Sequence, residues 1–354
     1  MRAAALANGM AKMGGMAGKG LHNLVLSLNG DMGCADKFAD EVSWEPVAAP
    51  ASGSANLIGR TLAARKTIAA LKPDLLLTYN WGAIEWAAAN YWPLCRHIHI
   101  EDGFGREEAE GQIRRRVLFR RLVLSRRSCV AFPSHTLYDI ARDIWRLPEA
   151  RLRYIPNGID LAPFGSVSRE EARMSFALPQ GKPIIGTLAT LRPEKNLGRL
   201  LEAFHGVRQD VDCHLVIAGD GSERASLEAH AGRLGLSDAV SFPGFINAPH
   251  AILPAFDIFA LSSDTEQMPL SIMEAMAAGL PVASLDVGDV RHMVAQENRD
   301  YISGRELPAL TGSLLALLGG SVDRGAIGGA NKRLAECEFD AEKMLSSWKD
   351  LFID

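Results

Sequence analysis

The stretch Ser262-Ser263-Asp264-Thr265-Glu266-Gln267-Met268-Pro269-Leu270-Ser271-Ile272-Met273-Glu274-Ala275-Met276-Ala277-Ala278-Gly279 lies between two short apolar runs, Ile258 to Leu261 and Pro281 to Leu285. Those runs have the length and composition of buried strands. Between them, Pro269 suits the first turn of a helix and Gly279 its C′ position, so the sequence predicts a short helix bracketed by its own start and stop signals. A loop that leaves the carboxyl end of a strand and enters a helix is where open α/β sheets bind ligands. The amides of Leu270 and Ser271 at that helix start have no intrahelical partners and suit a phosphate. Glu266 falls in the loop and Glu274 a little over one turn into the helix, so both carboxylates are candidates for a single ligand.

The same alternation continues on both sides of this stretch. Pro183 to Thr190, His214 to Ala218 and Val240 to Phe242 read as strands, with helices at Leu197 to Val207 and Glu223 to Leu234. Earlier in the chain, strands are expected at Leu24 to Leu28, Asp74 to Thr78, Arg96 to Ile100 and Cys129 to Phe132, mostly separated by helical sequence. Strand and helix in alternation mean a parallel sheet with crossover helices. Between the halves, turn-formers cluster from Tyr154 through Asn157, Gly158 and Pro163 to Gly165, which marks a linker. Two α/β domains fit the length of 354 residues, which exceeds a single hydrophobic core. The tail from Phe339 to Phe352 spaces Phe339, Met344, Leu345, Trp348 and Leu351 as an amphipathic helix able to pack back on the first domain.

Composition narrows the function. A net charge of −4 leaves no global basic field, so nucleic acid is not the expected partner. The five cysteines are scattered without a Cys-x-x-Cys pair, which argues against a zinc knuckle or a disulfide framework and fits a reducing cytosol. No secretion signal is read, because Asn8 and Gly9 interrupt the first apolar run. No segment approaches the roughly 20 uninterrupted apolar residues of a membrane-spanning helix.

Glu266 and Glu274, followed by Ala275-Met276-Ala277-Ala278-Gly279-Leu280-Pro281-Val282, resemble the donor-site motif of the family 4 retaining glycosyltransferases. The resemblance runs from about Arg151 to Val294. Tyr154 to Asp160, Leu191 to Asn196, Ala218-Gly219-Asp220-Gly221 and Val240 to Phe245 support it in the family's order. It implies a GT-B fold: two Rossmann-like domains with parallel sheets facing across a cleft, and a C-terminal helix packing on the N-terminal domain. The expected divisions are 1–163, an acceptor-side domain; 164–338, a donor-binding domain; and 339–354, the returning helix.

The implied donor is a nucleotide-diphosphate sugar. Glu274 would accept hydrogen bonds from the donor ribose and Glu266 would contact the transferred sugar. The Leu270 and Ser271 amides would hold the diphosphate, and Phe245 and Ile246 would meet the nucleobase. Gly186 and Thr187 would bring backbone close to the donor. Arg192 and Lys195 are cations suited to neutralise a departing nucleoside diphosphate, with no metal and no further cofactor expected. Similar enzymes commonly carry arginine where this chain has Thr190, and histidine where it has Asp102. Asp102 ends the Arg96 to Ile100 strand and is a candidate either for orienting a sugar hydroxyl and assisting proton transfer or for capping the Gly103 turn. His97 and His99, opposite Ile98 and Ile100, read as packing or surface residues.

Gln112 to Arg127 combines seven arginines with an apolar face. Two readings stand: peripheral docking of residues 113–127 on anionic lipid beside a lipid-linked acceptor, or an ordinary domain helix with solvated arginines. Similar enzymes open with a strand and a Gly-Gly loop, whereas this sequence reads as starting inside the first helix, followed by an insertion-like loop from Met10 to Gly20. The expectation is a late start or a shortened N-terminus, with a central strand missing. The whole reads as a cytoplasmic hexosyltransferase building a glycan or glycolipid, as in bacterial surface polysaccharide synthesis, at the inner face of the membrane. The alternatives are a nucleotide-sugar epimerase of the same fold and a non-catalytic nucleotide-sugar-binding protein.

Overall fold

The computed structural model describes residues 2–12, 20–28, 30–49, 56–104, 106–108 and 111–353. The chain divides into two compact units, Met1–Pro156 with Glu342–Asp354, and Asn157–Ala341. The glycine pair at 14 and 15, and the rest of 13–19, lie outside the described residues.

In the first unit, β1 (His22–Val25) and β2 (Ser43–Pro46) form a parallel pair of their own. A separate four-stranded parallel sheet has the order β3 (Leu75–Tyr79), β4 (Arg96–Ile100), β5 (Cys129–Phe132), β6 (Leu152–Tyr154). The sequence reading expects β1 at Leu24 to Leu28 and does not anticipate β2 or β6. Both missed strands are short and carry polar or charged residues, so neither shows the apolar run that marks a buried strand.

Side-chain alternation along β4 sorts the packing. Ile98 and Ile100 join Leu6 and Met10 of the helix Arg2–Lys12 and Met344 and Trp348 of the C-terminal helix Ala341–Ile353 in one core. Met10 is therefore a buried helix residue and not the start of a loop. Arg96 donates hydrogen bonds to the carbonyls of Leu351 and Phe352, placing a cation at the end of the C-terminal helix, where its carbonyls lack partners. On the other sheet face, the helix Arg114–Leu124 buries Val123 and Leu124 with Val130, Phe132 and Trp145.

The second unit holds a six-stranded parallel sheet, β12 (Ile302–Ser303), β11 (Val282–Leu285), β10 (Ile258–Leu261), β7 (Ile184–Leu188), β8 (His214–Ala218), β9 (Val240–Gly244), written in spatial order. Strand order reverses at β7, which pairs with β10 on one side and β8 on the other. The helices Leu197–Val207 and Leu270–Ala277 bury Leu200, Leu201, Phe204, Ile272, Met273 and Met276 in its core. Pro243 sits in β9, an edge strand, where its missing N–H costs no ladder bond.

The division falls inside the turn-rich stretch but gives residues 157–163 to the second unit. The reason is pairing: Ile159 bridges Asp340, its N–H donates to Phe339 at 2.9 Å, and its carbonyl accepts from Ala341 at 3.0 Å. Phe339 belongs to the second unit's core, so the returning helix begins at Ala341.

Candidate active site

Because β7 and β10 are neighbours, the loops leaving their carboxyl ends meet at the point where strand order reverses. After β7, Arg192 precedes the short turn Pro193–Lys195, and Asn196, at φ 42°, caps the helix Leu197–Val207 by accepting from the Arg199 N–H at 3.3 Å. After β10, Ser262 Oγ donates to the Lys195 carbonyl at 3.1 Å and the Asp264 N–H donates to the Glu194 carbonyl at 2.9 Å. Arg199 crosses between the loops, pairing with Asp264 at 2.7 Å and donating to the Ser262 carbonyl at 3.0 Å.

This lacing brings Lys195 Nζ to 2.6 Å from Glu266 Oε1, which also accepts from Ser263 Oγ at 2.7 Å. The Glu266 side chain is only 10% exposed, so the pair sits in partly excluded water, where charge interactions are stronger than at a free surface. The loop after β11 braces it. Gly288 has φ +54°, and a Cβ there would stand 2.4 Å from the Glu266 carbonyl oxygen, so only glycine permits the approach. The next residue, Asp289, donates its N–H to the Gln267 carbonyl at 2.9 Å.

Pro269 occupies the N-cap of the helix Leu270–Ala277 and offers no capping side chain, which leaves the Leu270 and Ser271 amides at the helix's positive end open to an anion. Glu274 lies one turn on. Burial pushes its carboxyl up to about 7, since desolvation disfavours the charged form and no cation there offsets it. A partner that donates hydrogen bonds to this carboxylate would restore its charge. Cation, carboxylates and a helix start together suit a phosphate-bearing, hydroxyl-rich ligand.

Arg192 is exposed, and no partner of its guanidinium occurs among the described residues. Phe245 is 73% exposed just beyond β9, and Ile246 beside it is half-buried. The loops after β7 and β8 are pressed together at Gly219, at φ +141°, where a Cβ would lie 1.8 Å from the Ala189 carbonyl oxygen. Gly186 and Thr187 lie within β7 itself. Both are buried in β7, and a Cβ on Gly186 would fall 2.2 Å from the Phe256 ring, so core packing accounts for that glycine without a ligand.

The first unit carries a second concentration of polar groups. A cavity of about 410 Å3 at the carboxyl ends of β3 and β4 is lined by Asn80, Trp81, Asp102, Phe104, Arg116 and Arg120, among others. The Asp102 N–H donates to Asn80 Oδ1 at 2.7 Å, and Asn80 itself is held at φ 55°. Arg120 is fully buried between the rings of Trp81, Phe104 and Trp145 and donates to both carboxylate oxygens of Glu108. Burial pushes the Glu108 carboxyl up, but hydrogen bonds from Arg120 and Arg116 outweigh it and hold the group below its ordinary range. His97 and His99 are buried and share the Thr78 hydroxyl, at 2.8 and 2.7 Å. Burial, with His99 adding to it, lowers His97 to about 3, so it is a neutral link between Thr78 and Ser128.

Sequence reasoning missed Ser263, Asp264, Asn196 and Arg199 in the second unit and Asn80, Trp81 and Arg120 in the first. Asn196 was accessible as a cap before an apolar-periodic run. Ser263 takes its role from Glu266, three residues on, and the others take theirs from neighbours farther along the chain. Among the described residues no group of three or more His, Cys, Asp or Glu is arranged to hold a metal ion.

Two parallel-sheet units with this loop constellation define a GT-B protein. Residues 168–307 match the model of the glycosyl transferases group 1, and residues 6–158 match that of a glycosyl transferase 4-like domain. The chain belongs to the glycosyl transferases group 1 family. The alpha-monoglucosyldiacylglycerol synthase of Streptococcus pneumoniae is 33% identical over 161 residues, covering 43% of this chain and 36% of that protein. The GDP-mannose-dependent alpha-mannosyltransferase of Mycolicibacterium smegmatis is 35% identical over 140 residues, covering 39% of this chain and 35% of its own. The chain thus matches less than half the length of these relatives. Among solved structures, HepE of Anabaena in complex with UDP-glucose superposes with a TM-score of 0.75 at 18% identity, covering 93% of this chain and 91% of that one. At that identity the likeness concerns the fold.

Proposed function

We propose that this chain is a retaining glycosyltransferase that moves a hexose from a nucleotide-diphosphate sugar to a hydroxyl of a glycan or lipid-linked acceptor. The observation that carries the reading is the Lys195–Glu266 pair at 2.6 Å beside the uncapped helix start at Leu270, with Glu274 one turn beyond. The Leu270 and Ser271 amides take the diphosphate, Glu274 accepts from the ribose hydroxyls, and the exposed Phe245 with Ile246 faces the base. Glu266 holds the transferred sugar. In the reaction the bond between the sugar's anomeric carbon and the diphosphate oxygen breaks, and its electron pair stays on the diphosphate. Lys195 and Arg192 stabilise that charge as it develops, which is when such groups lower a barrier. The acceptor oxygen bonds to the anomeric carbon on the face just vacated, and its proton passes to the departing phosphate oxygen. Asp102 is assigned to orient the acceptor hydroxyl.

The names of two similar proteins support the donor class, one being GDP-mannose-dependent and another holding UDP-glucose. A relative named for a glucosylated diacylglycerol supports a lipid-linked acceptor, and with it work at the inner face of a bacterial membrane in surface glycan synthesis.

A thermal-shift comparison of UDP, GDP, ADP and their sugars tests the assignment, wild type against Glu274→Ala. At least one nucleotide should raise the wild-type midpoint, with the shift lost in the variant; no shift from any nucleotide rejects the site. Donor incubated without acceptor should remain unisomerised, whereas accumulation of an isomeric nucleotide sugar would identify an epimerase.

A further inference from the structure

The arginine-rich helix Arg114–Leu124 is built inside out relative to an ordinary amphipathic helix. Two of its arginines face inward: Arg120 is fully buried, and Arg116, 14% exposed, pairs with Glu107 and Glu108. Two of its leucines face outward, Leu118 at 66% and Leu122 at 58% exposure, four residues apart and so on one stripe. Arg114 and Arg115 flank that stripe at one end, Arg126 and Arg127 at the other, all four exposed. None of these four arginines pairs with an acidic side chain among the described residues. The nearby Asp139 and Asp143 are both taken up by Arg142 at 2.8 Å.

The surface continues past the helix. Ile144 lines a shallow depression with Leu118, Arg114 and Arg121. At the far end, Arg126 lies over the Tyr91 ring, which meets Trp92 edge-on at 5.2 Å, and Trp92 is 72% exposed. A helix with solvated arginines and a buried apolar side would hide its leucines. Here leucine, isoleucine and tryptophan stand in water among unpaired guanidinium groups, the pattern by which a surface helix enters the headgroup region of an anionic bilayer. Tryptophan is suited to that depth. No helix among the described residues is long and apolar enough to cross a membrane, so the contact lies in the interface plane.

We infer that Arg114, Arg115, Leu118 and Leu122, with Trp92 and Arg126 beside them, form a docking face for anionic lipid. This deepens the lipid-linked reading of the acceptor and rests on it only for why a membrane is visited. Vesicle binding needs no transfer activity, so the two readings fail separately.

The test is flotation of the full chain with phosphatidylglycerol/phosphatidylcholine vesicles, against phosphatidylcholine alone. Binding to the anionic vesicles should exceed binding to the neutral ones by at least about tenfold and weaken with salt. Arg114→Gln with Arg115→Gln should lower it by roughly fivefold per residue, and Leu118→Ser with Leu122→Ser by about tenfold or more. All four residues are at the surface, so the melting temperature should hold. Arg233→Glu, an exposed site in the second unit, should leave binding unchanged. Equal binding to both vesicles, or an equal loss from Arg233→Glu, overturns the proposal. So does a dimer in sedimentation that dissociates in Leu118→Ser/Leu122→Ser without vesicle binding by the wild type, because the face then belongs to a second copy.

Discussion

Lys195 Nζ stands 2.6 Å from Glu266 Oε1, and these two residues come from loops that follow different strands, β7 and β10. The cation and the carboxylate to which the proposed reaction assigns the leaving diphosphate and the sugar are thus held as one unit. Preorganisation of this kind removes reorganisation from the reaction step.

Replacing Lys195 with Ala should cut kcat by about 10²–10³ while nucleotide affinity falls less, because in the proposed reaction the lysine acts on charge that develops during bond cleavage. Steady-state kinetics against a nucleotide titration separates the two. An unchanged kcat removes Lys195 from the mechanism.

Glu274 should make both stability and donor binding depend on pH. Burial lifts its carboxyl from 4.5 to about 7, so between those values the folded protein holds a proton that the unfolded chain releases. Its stabilising contribution is complete below 4.5 and is lost as pH rises through about 7. The gap corresponds to roughly 3 kcal/mol. Urea denaturation at about pH 5 and about pH 8 should show the wild type losing more stability on going up than Glu274→Gln. Ribose hydroxyls donating to Glu274, as proposed, favour the charged form, so donor affinity should rise with pH across the same window and flatten in the variant.

Gly288→Ala should disturb the site without touching a ligand. The new methyl group meets the Glu266 carbonyl oxygen at 2.4 Å in a left-handed backbone conformation. A cost of about 1–3 kcal/mol in stability is expected, with a loss of kcat from the displaced Glu266 loop. Wild-type kinetics with a lowered melting temperature would separate a purely structural role.

Phe245→Ala should leave stability within about 0.5 kcal/mol, since the ring is 73% exposed, yet weaken nucleotide binding by about tenfold if the ring stacks on the base. Calorimetric titration with the nucleotide found by thermal shift reads this directly.

Arg120→Met should destabilise the first unit by about 3–5 kcal/mol, because Glu101 is then left buried without its arginine and Glu108 keeps only Arg116. Chemical denaturation measures it. Adding Glu108→Gln should recover part of the loss.

Much of the fold was legible because its signals are local. The strands Arg96–Ile100, Cys129–Phe132, His214–Ala218 and Ile258–Leu261 and the helix Leu197–Val207 form where apolar periodicity and turn residues place them. β2, β6 and β12 carry too few apolar residues to announce themselves, and exist because a neighbouring strand offers hydrogen bonds. The site was legible in part for the same reason: Pro269 and Gly279 bracket their helix in the sequence itself. Gly186 shows the limit, since the ring that its missing side chain makes room for, Phe256, lies seventy positions away.

Residue order by itself determined the α/β alternation, the two-part chain, and the loop-helix segment carrying Glu266 and Glu274, because these follow from periodicity and capping over a few residues. Only the tertiary structure decided that Lys195 meets Glu266, that burial holds Glu274 near neutrality, and that the arginine helix hides Arg120 while exposing Leu118 and Leu122. Those outcomes depend on strand order and on which groups lose water when distant segments close together, and neither is written in any single stretch of sequence.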